Sequence, residues 1–483
     1  MRKLSLIMIA MLLLLAACSG GGNVDVSSGN KPNLRALYPF ERYDPNKEYI
    51  AELISESTGY KVNYEMLPEE LPDEKLNLLM ANKEEFNYIK VNKAQFFNLA
   101  ESGALEPLNE LIEKYGPNIR DGIFEETWKA TTIDGTIYGI PEGITGLGAN
   151  SSLIVRQDWM DELGLAIPTT RDELYQVLKT IKEKKNVIPL TGYGGVFAEI
   201  ANTFGITTTW KEVDGGLIHR DQDPRMKEYL AFMNKLYEEG LIDSEWPINS
   251  GTKVIERFTS GQAAMMSLAW WSAPAVFNAL EKNFPDAKIG VLPFLKQDTG
   301  EEAIWGVNAG ITYVIAIPKW AKNKEHTMNF LNMKLEEKLF KKLTIGEEGV
   351  HHTFEDGKYF PILPIFNDLY NNASYFLTGV DERVYPTYWQ ARVRKDPILQ
   401  NYYDQLQELV KGKFVIDPLS NTPPIESISK YSQVLYKYSE DTFLTYIAGT
   451  ESLDGFDAYM AKWLADGGEQ MVKDANAWYA ENK

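Results

Sequence analysis

"LRALYPFERYDPNKEYIAELISESTGYKVNYEMLPEELPDEKLNLLMANKEEFNYIKV", residues Leu34–Val91, decides the fold class. Its opening, residues 34–40, reads as a short strand. Residues 46–59 place Ile50, Leu53 and Ile54 near helical spacing and stop at Gly59. Residues 61–67 alternate like a strand, 73–84 return to helical spacing, and 86–91 form a second apolar strand. Strand, helix and strand joined by short links imply right-handed crossovers and a mainly parallel sheet, so the class is α/β.

Downstream, Thr170 precedes Glu173 by three residues, the spacing of a capping box. Leu174, Val177, Leu178 and Ile181 then make one apolar helical face. Residues 223–242 form another amphipathic helix, entered at Pro224 and stopped by Gly240. The C-terminal third is mostly helical, with segments at 431–449, 453–468 and 469–482. A body of this length, about 450 residues after the leader, exceeds what one core usually supports, so two lobes are expected.

Ahead of this body stands "MRKLSLIMIAMLLLLAACSGGG". Arg2 and Lys3 precede an apolar run, Leu4–Ala17, of about 14 residues, shorter than the roughly 20 that a membrane span needs. Residues 1–17 therefore read as a signal peptide. Cys18 follows at once and is the chain's single cysteine, so no internal disulfide is possible. "LAAC", Leu15–Cys18, resembles the lipobox of bacterial lipoproteins, whose cysteine carries lipid. Residues 18–32 are rich in Gly, Ser and Asn and read as a flexible tether with a reach on the order of 20 Å. Losing Arg2 and Lys3 takes the formal charge from −19 to −21, which argues against nucleic acid.

Reactive constellations are hard to find. His219, His326, His351 and His352 lack the spacing of a tetrahedral metal site. No phosphate loop, HExxH or nucleophile elbow occurs. Glu142, Asp158, Glu256 and Glu301 compose acid pairs on paper, yet an acidic chain always offers such pairs, and a solvated surface is the expectation. No enzyme, cofactor or metal is expected.

Several stretches, in order, resemble the extracellular solute-binding lipoproteins of ABC sugar importers. They are "SGALEPLNELI" (102–112), "DGTIYGIPEG" (134–143), "LIVRQDWMDELGLAIPTTRDEL" (153–174), "LYEEGLIDSEW" (236–246) with "FTSGQAAMM" (258–266), and "AGITYVIAIPKW" (309–320). The resemblance implies a two-lobed, periplasmic-binding-protein-like fold of type II with a helical C-terminal region. Lobe 1 would comprise 31–148 plus 300–365, and lobe 2 would comprise 149–299 plus 366–483. It further implies a monomeric receptor at the outer face of the cytoplasmic membrane, held by lipid on Cys18, that passes an oligosaccharide to permease subunits. Many relatives carry a calcium loop where this chain reads "KEKKNVIPLTGYGG" (182–195), so calcium is not carried over.

The family's cleft is lined by loops at the carboxyl ends of strands. Candidates are Tyr38, Phe40 and Arg42 after the first strand, Asn92, and Trp270 and Trp271 in "SLAWWSAP". Trp389 and Arg392, with Arg394 nearby, and Trp305 with Asn308 complete the set. The resemblance puts Trp271 where relatives stack an aromatic on sugar. Tyr38, Phe40 and Trp305 have packing as their alternative. Arginines beside aromatics suit a uronic sugar, whose carboxylate an Arg fork holds. A strand continuing through both Trp270 and Trp271 would send their rings to opposite faces, while a turn at Ala269 would let both line the cleft. A non-sugar or sensory binding lipoprotein of the same fold, and a secreted glycan-degrading enzyme, are the competing functions.

Overall fold

The computed structural model describes residue 26 and residues 31–143, 149–297, 304–307 and 310–482. The candidates Cys18, Asn308 and Glu301, and nearly all of the expected leader and tether, lie outside them. The strands of the two main sheets are, in chain order, β1 (Leu34–Tyr38), β2 (Val62–Met66), β3 (Tyr88–Val91), β4 (Ile140–Gly143), β5 (Ser151–Arg156), β6 (Ile188–Leu190), β7 (Ala263–Ala269), β8 (Ile289–Val291) and β9 (Ile311–Ala316).

The first sheet runs β2-β1-β3-β9-β4. β1 pairs in parallel with β2 and β3, Ala36 standing opposite Tyr64 and Tyr88. The crossovers are the helices Tyr49–Thr58 and Pro72–Ala81 expected from periodicity. Gly59 ends the first of them at φ 72°, where its N–H caps the Ser55 carbonyl. The second sheet runs β8-β5-β7-β6. β5 is antiparallel to β7 and β8, and only β6 joins β7 in parallel. In the first sheet β9 is likewise antiparallel to β3 and β4, so both sheets are mixed and the expected parallel pairing holds only between β1 and its neighbours β2 and β3.

Each sheet is covered on both faces. Leu34, Ala36 and Tyr38 join one core and Leu37 the opposite one. Leu153 and Val155 likewise part from Ile154. This is the period-two consequence of the pleat. The capping box at Thr170 and Glu173 forms as expected, and Leu174, Val177, Leu178 and Ile181 of helix Arg171–Lys185 are buried in the second lobe. The C-terminal helices Glu426–Ile447, Phe456–Trp463 and Glu469–Asn482 cover that same core through Leu435, Phe443, Trp463 and Met471.

One expected boundary is corrected. Residues after 366 do not go at once to the second lobe. Phe366, Tyr370, Tyr375, Tyr385 and Ala391 pack in the core of Leu34 and Tyr38. Tyr402, Leu406 and Val410 are the ones that join Ile154 and Leu268. The chain therefore changes lobes between Ala391 and Tyr402. The aromatic rings on helices Ile365–Tyr370 and Tyr385–Val393 keep this segment on the first lobe.

The four histidines serve local structure. The His326 Nδ1 meets the Tyr60 hydroxyl at 2.9 Å, His351 accepts from the Glu347 N–H at 3.0 Å, and the His352 Nδ1 lies 2.9 Å from the Ile345 carbonyl. Among the described residues no group of three or more His, Cys, Asp or Glu is placed to hold a metal ion. His219 stands between Trp210 and Trp463, at 5.2 and 4.8 Å between ring centres, and its Nδ1 accepts from the Asp221 N–H. Burial pushes its imidazole down from 6.5 to about 4. The unfolded chain thus takes up this proton at higher pH than the folded chain, and His219 costs stability progressively as pH falls from 6.5 to about 4. His219→Gln is expected to flatten the loss of unfolding free energy across that window by up to roughly 3 kcal/mol. Urea unfolding at a series of pH values reads this, and an unchanged slope would assign acid sensitivity to other groups.

Candidate functional site

A cavity of about 390 Å³ opens between the two sheets. The first lobe contributes Glu41 and Tyr43 after β1, Lys90 on β3, Glu142 at the end of β4 and Tyr313 near the start of β9. Asn371, Tyr375, Tyr385 and Trp389 come from the returning segment of the same lobe. Facing them are Asn150 just before β5, Trp270 and Trp271 just after β7, and Tyr403 and Gln407 on helix Pro397–Val410.

The placement of the paired tryptophans follows from where β7 ends. β7 stops at Ala269, and Trp270–Ser272 form a single tight turn into helix Ala273–Asn283. Pro274 sits in that helix's first turn, where its missing N–H costs nothing. The Trp270 N–H donates to the Asn150 carbonyl at 3.0 Å. Because the chain turns here, both rings reach the cleft, in edge-to-face contact at 5.5 Å. Trp271 is 58% exposed although it is a large apolar ring. Trp270 also meets Tyr403 at 5.3 Å and Trp389 at 6.3 Å. The last contact spans the lobes.

The turn is braced from beneath. The Tyr402 hydroxyl donates to the Leu268 carbonyl at 2.9 Å. Glu199 accepts from Ser151 on β5 and from Ser267 on β7, and burial raises its carboxyl above the usual range.

The cleft floor holds a buried cation. Lys90 is 1% exposed. Its ammonium donates to the Leu377 and Tyr375 carbonyls at 2.9 and 3.2 Å and lies 2.8 Å from Glu142 Oε2. Tyr313 presents its ring face to the same ammonium at 4.9 Å. Glu142 is therefore a cleft residue and not the solvated acid expected from sequence. Asp158 pairs with Arg156 and Glu256 with Lys253, away from the cleft.

Several expected contacts are corrected. Tyr38 is fully buried beneath the cleft, packed by Tyr64, Tyr88 and Tyr375 at 5.3, 6.0 and 5.0 Å, because strand alternation turns it into the core. Its neighbour Phe40 is exposed but not part of the cavity wall. Arg42 points to solvent and pairs with Glu69 at 3.1 Å. Asn92 caps helix Lys93–Glu101 in a capping box with Gln95. Trp305 lies flat on Phe294 at 4.3 Å and packs with the second lobe, contrary to its expected place in lobe 1. Arg392 stands beside the cleft with its guanidinium donating to the Tyr370 and Asn371 carbonyls at 2.8 and 2.6 Å. Arg394 donates to the Tyr359 carbonyl. Tyr43, Tyr375, Tyr385, Tyr403 and Lys90 were not anticipated. Lys90 alone carried a signal, a charge inside the apolar strand "FNYIKV", since buried lysines need partners.

Over residues 48–347 the sequence matches the family described as bacterial extracellular solute-binding protein. The chain belongs to that family. An "Uncharacterized protein in butB 5'region" of Niallia circulans is 48% identical over 256 residues, which are 53% of this chain and 100% of that one. The polygalacturonan/rhamnogalacturonan-binding protein YtcQ of Bacillus subtilis is 24% identical over 99% of this chain and 98% of its own. Among solved structures, alginate-binding protein AlgQ2 without calcium ion superimposes with a TM-score of 0.72 at 20% identity, over 94% of this chain and 99% of that one. Streptococcus pneumoniae FusA in complex with kestose gives 0.72 at 19% identity, over 93% and 99%. At such identities the structural likeness establishes the fold, which is the two-lobed solute-binding architecture with its cleft between lobes.

The Lys90–Glu142 pair can be tested without ligand. Lys90→Met strands a half-buried carboxylate and is expected to cost about 3–5 kcal/mol in urea unfolding. Combining it with Glu142→Gln should recover part of this, with a coupling of about 0.5–3 kcal/mol. Strict additivity would mean that the pair does not interact.

Proposed function

We propose that this chain is an extracytoplasmic oligosaccharide receptor of an ABC importer. The observation that carries the reading is the convergence of Trp270, Trp271 and Tyr403 from one lobe with Trp389, Tyr385 and Tyr43 from the other on one cavity. Aromatic faces suit the apolar C–H faces of sugar rings. Asn150, Asn371 and Gln407 supply amides that can both donate to and accept from hydroxyls. The relatives point the same way: one is a polygalacturonan/rhamnogalacturonan-binding protein, and FusA was solved with kestose.

In this reading Cys18 carries the lipid, residues 18–32 form the tether, and the monomeric body works at the outer membrane face. A glycan touching both lobes makes its full set of contacts only when they are closed, so it draws the open–closed equilibrium toward closed. The closed form then presents both lobes to the permease. The role is binding and delivery; no bond is made or broken.

A thermal-shift screen against oligosaccharides tests this. A ligand at 100 times its dissociation constant should add about 2.7 kcal/mol to stability. Trp270→Ala and Trp389→Ala should each abolish that shift. A peptide shifting the melting point where every glycan fails would overturn the sugar assignment.

A further inference from the structure

We propose that the cleft selects uncharged glycans and discriminates against uronate-type acidic ones. The inference rests on the reading of this cavity as a glycan site. It comes from where the charges are and which of them are already engaged.

Among the described residues, the charged side chains on the cavity wall are Glu41, Lys90 and Glu142. Two are acids. The one cation has three N–H donors, and three groups surround it: the Tyr375 and Leu377 carbonyls and the Glu142 carboxylate. Two of those donors go to carbonyls, and the charge is balanced by Glu142 at 2.8 Å, so Lys90 is already paired before a ligand carboxylate arrives. Glu41 is exposed at the rim and makes no ion pair among the described residues.

Cations just outside the wall are also engaged. Both terminal nitrogens of Arg392 donate to backbone carbonyls. The Lys395 ammonium donates to the Asn371 Oδ1 at 2.8 Å. Arg42 turns away to Glu69. By sequence, the internal segments outside the described residues, 144–148, 298–303 and 308–309, contain no lysine or arginine, and add only Asp298, Glu301 and Glu302. The Arg fork expected beside the aromatics is thus turned to the backbone of Tyr370 and Asn371 and does not form part of the cavity wall.

A uronate entering here would lose water, meet Glu142 and Glu41, and find among the described residues of the wall no cation other than the already paired Lys90. Burying a charge without a partner is costly, and like charges across an interface add to that cost. A neutral sugar meets the opposite situation. Its hydroxyls donate to Glu142 and Glu41, and its ring faces lie on Trp270, Trp271 or Trp389.

The test is titration calorimetry on the full chain with three sets of ligands. These are neutral oligosaccharides, free-acid oligogalacturonides, and the same oligogalacturonides fully methyl-esterified. The esters share the acids' backbone and differ in charge. Neutral oligomers are expected to bind, and each free acid to bind at least about tenfold more weakly than its ester. Glu41→Lys should reduce that ester-to-acid ratio by about tenfold. Free acids binding as tightly as their esters, or a ratio that Glu41→Lys leaves unmoved, overturns the charge selection while the glycan reading stands. Failure of every glycan in all three sets overturns the glycan reading itself.

Discussion

The ammonium of Lys90 holds the first lobe together at the place where it meets the cleft. It sits on β3, the strand next to β1 and β9, and reaches the backbone of a segment nearly 290 residues later. A charge buried so deep is costly unless it is partnered. Its partners are the Tyr375 and Leu377 carbonyls, and through them the returning segment is fixed on the sheet. Lys334 repeats the arrangement on the Phe376 carbonyl, and burial lowers its ammonium well below the usual range. Tyr375 is thereby held against Tyr38 and Tyr43, and its hydroxyl donates to the Pro39 carbonyl at 2.9 Å. The first-lobe wall of the cavity follows from this set of bonds.

The second wall has a different origin. It depends on where β7 ends. The pairing with β5 carries the strand to Ala269, opposite Ser151, and the turn then sends two adjacent indoles to the same side. One residue more of strand would have put one of them into the core. Tyr402 and Glu199 secure that end from below. The cavity is thus a floor of buried ions on one lobe and a turn of exposed rings on the other.

What was legible in the sequence was local. The capping box at Thr170, the apolar face from Leu174 to Ile181 and the stop at Gly59 depend on neighbours three or four residues away, and all are read correctly. Trp271 and Trp389 were legible as cleft-facing rings because large rings beside a turn or on a half-buried helix need a reason to be there. The failures are long-range. Tyr38 and Tyr43 look alike in sequence, and only the pleat and the arrival of Tyr375 send one to the core and the other to the cleft. Trp305 is decided by Phe294, which approaches from another strand region. Glu142 reads as one acid among many until Lys90 stands beside it. The lobe boundary at 366 was misplaced since nothing local tells an aromatic helix which of two cores it will cover.

The edge contact between Trp270 and Trp389 joins the lobes through two chromophores. Closely spaced indoles couple their electronic transitions, and the coupling depends steeply on separation and angle. The tryptophans Trp246 and Trp463 are fully buried in the second lobe and travel with it as a fixed background. The pair across the cleft is different, because its two members pack with different lobes. Any change in the angle between the lobes would therefore register in the optical signal of this pair.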